Sequence, residues 1–114
     1  MAQLPEETIT TVLNLQRRLL TIIHEATATG YNIVERYGET EVTVSDLAQL
    51  DNVQERADTY HSRFYNLLRR IAESQPIAET AMIDLLLLSI AEAQATVEAL
   101  EASIRETKRD WNLL

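Results

Sequence analysis

The chain has 114 residues, 46% of them apolar and 25% charged, with a net charge of −8 and no cysteine. That length is one domain, and the acidic balance argues against nucleic acid, whose phosphates need concentrated Lys and Arg, and against an anionic membrane surface. Without cysteine there is no disulfide framework, thiolate nucleophile or Cys-type zinc site.

Two Gly, two Pro and 5% aromatic residues predict long helices, short connections and a core of Leu, Ile, Val and Ala. The N-terminus from Met1 to Glu7 lacks the basic and apolar parts of a signal peptide, and no apolar block reaches the length of a membrane span. The expected location is cytoplasmic, with no membrane partner.

The first helix is predicted over residues 5–37. Pro5 suits a first-turn position, and Glu6 and Glu7 face the positive end of the helix dipole. Ile9, Val12/Leu13, Gln16, Leu19/Leu20, Ile23, Ala26, Gly30, Ile33/Val34 and Tyr37 recur at heptad-like spacing, and Gly38 stops the helix. Thr27-Ala28-Thr29-Gly30 is its weak point, and Gly30 on the stripe is read as a close approach of another helix. The connection of residues 39–44 alternates Val42 and Val44 with polar residues, a short extended pattern.

A second helix is predicted over residues 46–74, capped by Ser45. Its stripe is Leu47, Leu50, Val53, Ala57, Tyr60/His61, Phe64, Leu67/Leu68 and Ile71. Asp51-Asn52 is a candidate interruption. Ser74-Gln75-Pro76 separates it from a third helix over residues 76–109, followed by a tail, 110–114.

The third helix carries two apolar stripes. One contains Ile83, Leu86/Leu87, Ile90, Ala93, Val97, Leu100, Ile104 and Trp111. The other contains Ile77, Ala81, Leu85, Leu88, Ala91, Ala95, Ala99 and Ala102. One stripe suffices to join a small bundle. The second is either consumed by the other neighbour within the chain or spent on self-association.

Folding the second helix back on the first brings His24 and Glu25 level with Asp58 and His61, with Glu92 near the same height. In chemical terms this is a polar layer. Asp58-Thr-Tyr-His61 also resembles the carboxylate-x-x-His step of ferritin-like di-iron bundles. That resemblance implies a metal site completed by a second copy of the chain, although Asp stands where that family has Glu. Arg56-Ala-Asp-Thr-Tyr-His61 is similar to the Arg-x4-His pattern of HEPN domains. It implies RNA cleavage with His61 as general acid/base and Arg56 on the phosphate. His24-Glu25 resembles the His-Glu step of histidine-kinase phosphoacceptor helices, with Ala28 where those have Thr or Asn.

Arg17-Arg18 and Arg69-Arg70 are expected towards one end of the rod, either as an anion-receiving group or paired with nearby acids. Trp111, Leu113 and Leu114 form an apolar terminus, either a docking peptide or a segment folded back near Tyr31 and Tyr37.

The reading is an all-α, antiparallel three-helix bundle that acts through protein–protein contacts as an adaptor or scaffold and self-associates. Its interface residues are Leu88, Ala91, Ala95, Ala99, Ala102, Trp111, Leu113 and Leu114. It is read as no enzyme, without cofactor or assigned metal. The alternatives are a ferritin-like metal-binding oligomer and, more remotely, a HEPN-like RNase.

Overall fold

A computed structural model describes residues 4–114, and the leader reading at residues 1–3 lies outside them. Three helices account for the described fold: α1 (Glu6–Tyr37), α2 (Val44–Glu73) and α3 (Thr80–Asp110). They pack pairwise into a bundle with principal extents of 56 × 19 × 17 Å.

α1 begins where Pro5, in extended conformation, offers its carbonyl to the N–H groups of Thr8 and Ile9. The predicted weak point is fully helical. Thr27 and Thr29 turn their hydroxyls back onto the carbonyls of Ile23 and Glu25, at 2.8 and 2.6 Å, so their polar atoms are satisfied without leaving the helix. Gly38, at φ 75°, ends α1 and donates its N–H to Val34. This is the left-handed position that glycine takes most readily.

The connection that follows is a turn, and no strand forms among the described residues. Val42 and Val44 are exposed. Thr43 organises the turn from within: its hydroxyl donates to the Gly38 carbonyl and accepts the Thr40 N–H, both at 2.9 Å. The predicted start of the second helix is therefore corrected. Thr43 precedes its first residue, and Ser45 lies inside it.

α2 runs unbroken through Asp51 and Asn52 to Glu73. The third helix starts four residues later than Pro76 suggests. Ala78 is buried against the bundle, and the Glu79 carbonyl accepts the first N–H groups, from Met82 and Ile83.

The buried seam of α1 is Val12, Leu15, Leu19, Ile22, Ala26, Thr29 and Ile33. This alternating three-and-four spacing differs from the predicted stripe. Leu13, Leu20 and Val34 face outward, and Leu15, Ile22 and Thr29 replace Gln16, Ile23 and Gly30 at its centre. The seam lies between two neighbours, so it is centred on residues that meet both. On α2 the predicted stripe holds, with Leu50, Val53, Ala57, Phe64, Leu67 and Ile71 buried.

Contacts between α1 and α2 run in opposite sequence order, with Thr27 near Gln54 and Gly30 near Leu47 and Leu50. Those between α2 and α3 do the same: Gln49 meets Ser103, and Arg63 meets Glu92. Between α1 and α3 the order is the same, with Arg18 on Glu101 and Glu25 on Lys108.

Candidate functional site

α3 is the helix whose two sides differ most from a simple bundle member. Its inner side buries Leu86, Ser89, Ala93, Val97, Leu100, Ile104 and Thr107. Its outer side keeps the second apolar stripe in solvent: Ala81, Leu85, Leu88, Ala91, Ala95, Ala99 and Ala102 are all exposed, as is Ile77 just before the helix. Leu85, Leu87 and Leu88 are 44%, 50% and 55% exposed. The alternative in which both stripes are consumed inside the chain is thus contradicted. With about 100° between successive residues, the stripe lies opposite the core side, beyond reach of α1 and α2.

The same feature corrects the statement about membrane length. α3 contains an 18-residue window of mean hydropathy 1.4 with no more than two acidic or basic residues, and only 28% of that window is buried within the chain. Ala and Leu spread along 31 residues reach a length that the six-residue apolar block does not. This helix is long and apolar enough to cross a bilayer by length and composition alone.

Ion pairs fix the edges of the face. Arg18 meets Glu101 at 2.7 Å, Glu25 meets Lys108, and Arg63 meets Glu92 at 3.4 Å. The hydrogen bond from Lys108 holds the Glu25 carboxyl below the usual carboxylate range, with the nearby positive charge acting in the same direction against partial burial. Glu101 likewise raises the affinity of the Arg18 guanidinium for its proton, chiefly through their hydrogen bond. The side groups of α1 and α2 thereby hold α3 at its flanks and leave its outer side uncovered.

The four residues level with one another do not converge on one point. Glu25 is committed to Lys108, His24 and Asp58 are exposed, and His61 is half-buried. Among the described residues no three His, Asp or Glu side chains converge to hold a metal ion. Arg56 and His61 are five residues apart on one continuous helix, which turns them about 140° from each other.

The arginines do not form one anion-receiving group either. Arg18 is engaged by Glu101, in the second half of α3. Arg69 lies 3.9 Å from Glu73 and 5.9 Å from the Tyr65 ring centre.

The C-terminal tail folds back. The Trp111 ring lies 5.0 Å from that of Tyr37, its Nε1–H donates to Asp46 at 2.6 Å, and the Tyr37 hydroxyl donates to its carbonyl at 2.9 Å. Asn112 at φ 61° and the Leu113 N–H on the Lys108 carbonyl close the helix in a Schellman-type turn. Trp111 and Leu113 are part of the bundle end, which corrects the docking-peptide alternative, while Leu114 is exposed.

Asp46 as the partner of Trp111 is a contact that the sequence reading misses. Tyr37 of α1, Asp46 of α2 and Trp111 just past α3 meet there, and no periodicity within one helix announces that. Comparison with protein-family models, curated proteins and solved structures finds no match to this chain.

Proposed function

We propose that the protein is a non-enzymatic interaction module of adaptor or scaffold type, which self-associates through the outer face of α3. One observation carries the reading: an apolar stripe about six turns long stays in water on the side of α3 away from its buried seam. Contiguous exposed apolar surface is costly to keep and marks contact sites. Leu85 and Leu88 supply bulk, while Ala91, Ala95, Ala99 and Ala102 let a second backbone come close.

Replacing Ala91 and Ala95 together by Glu tests it. Both positions are exposed, so helicity by far-UV circular dichroism is expected to stay unchanged while the assembly dissociates. An assembly that survives the double substitution refutes this face as the interface.

A further inference from the structure

A hollow of about 310 Å³ opens between the end of α1 and the start of α2. Its floor is apolar: Gly30 and Val34 line it from α1, Leu47 and Leu50 from α2, with Tyr31 and Gln54 at its edges. It adjoins a wider depression of about 660 Å³ over Val44 and Ala48, and the two share Glu39, Leu47 and Asp51. Gly30 keeps the hollow open. Its φ is not positive, and a Cβ there would meet only Leu47 and Leu50, each at 3.8 Å. Neither the backbone nor the helix packing demands glycine at this position. Glycine inside a helix costs stability relative to alanine, and what the missing side chain provides is depth.

The rim carries one sign of charge. Glu39, Glu41 and Asp51 line the two hollows, and no Lys, Arg or His lines either. All three acids are exposed, and none is in an ion pair among the described residues. Glu35 extends the acidic edge and accepts the Tyr31 hydroxyl at 3.5 Å.

The basic groups at this end of the rod are turned elsewhere. Arg36 donates to the Asn112 carbonyl at 3.4 Å, and Lys108 pairs with Glu25. Arg105 lines the groove between α1 and α3, with Arg109 one turn beyond it on α3. Arg56 stands seven residues from both Gln49 and Arg63, which face α3. On α1 the next basic side chain is His24, about 10 Å down the axis from Tyr31.

We propose that this hollow is a docking site for a basic amphipathic helix of a partner protein. An apolar floor inside an unpaired acidic rim fits a segment with large apolar side chains on one face and Lys or Arg on both flanks. The floor follows the helix axes for about two turns, from Thr27 to Val34. A helix lying along it sets side chains three and four residues apart into the hollow. The same rim repels a nucleic acid or an anionic membrane. This goes beyond the self-association reading. The hollow lies on the side of the bundle away from α3, so a copy seated on the outer face of α3 leaves it open.

The probe is a leucine- and lysine-bearing amphipathic peptide of about 18 residues, long enough to hold a helix. It is titrated into the isotope-labelled full chain beside a counterpart with glutamate for every lysine. Amide shifts are expected to change along both walls of the hollow, between Thr27 and Gln54, and the glutamate peptide is expected not to bind. Glu39→Gln with Asp51→Asn weakens binding about tenfold. Glu98→Gln with Glu106→Gln, the same loss of charge at exposed positions of α3, leaves it unchanged. Gly30→Leu fills the hollow and weakens binding about tenfold with the rim charge intact. The rim positions are exposed and outside the core, so that pair keeps the test decisive if Gly30→Leu disturbs α1.

Shifts centred on the outer face of α3, equal binding of the two peptides, or indifference to the rim substitutions overturns the proposal. Dissociation of a wild-type assembly by Gly30→Leu in a folded chain overturns it too and assigns the hollow to a second copy. The α3 reading stands or falls separately, on the mass of the assembly.

Discussion

Gly30→Ala separates two physical accounts of α1. The sequence suggests that Gly30 permits close helix approach, in which case a methyl group would clash. In the structure a Cβ at this position lies 3.8 Å from Leu47 Cδ2 and 3.8 Å from Leu50 Cδ1, with no other side chain nearer. That is ordinary van der Waals contact, and Gly30 has no positive φ to give up.

The substitution therefore gains the helix propensity difference, about 1 kcal/mol. Two new methyl contacts add roughly 0.2–0.4 kcal/mol. The sum corresponds to a rise of about 4–8 °C in melting temperature for a domain of this size. Urea denaturation followed by circular dichroism checks it: the midpoint is expected to rise with the slope unchanged. A lower midpoint would mean that α1 and α2 approach more closely at Gly30 than the geometry states, and would refute the reasoning.

Ser89 is fully buried, and its hydroxyl has no hydrogen-bond partner among the described residues. Ser89→Ala is expected to stabilise the fold by about 1 kcal/mol, because an unsatisfied buried hydroxyl carries a desolvation cost; a loss of stability in the same denaturation experiment would show that the hydroxyl is satisfied. The Glu25–Lys108 pair predicts a pH dependence. The Glu25 carboxyl is held below its usual range by Lys108, so its contribution is complete above the ordinary glutamate pKa of about 4.3 and is lost as pH falls through the depressed folded-state value. Both side chains are partly exposed, which limits the effect to less than about 1 kcal/mol. Lys108→Met is expected to narrow the stability difference between neutral and acidic pH, and an unchanged pH profile would contradict this.

The helical class and the three elements are legible in the sequence because few Gly and Pro and strong periodicity leave little else open. Helix ends are less legible. Thr43 rather than Ser45 precedes α2 because a buried hydroxyl bridges Gly38 and Thr40 across the turn, a contact that no local pattern encodes. The rotation of the α1 seam is hidden for a similar reason. Leu13 and Leu15 are equally apolar, and only contact with two neighbours at once decides which turns inward.

The doubled stripe on α3 is readable from spacing. That its outer half is left in solvent follows from the side on which Glu101, Lys108 and Glu92 tie α3 to its neighbours. His24, Glu25, Asp58 and His61 do not converge as a metal-holding group for a complementary reason: residues level along a rod need not share a face, and Glu25 is turned to α3.

The central claim is that the outer face of α3 is a contact surface for a second copy. Light scattering on the full chain, in line with size-exclusion chromatography over a wide concentration range, tests it most directly. A mass of at least two chains is expected for the wild type, and of one chain after Ala91→Glu with Ala95→Glu. A wild-type mass of a single 13.0 kDa chain at every concentration would contradict it.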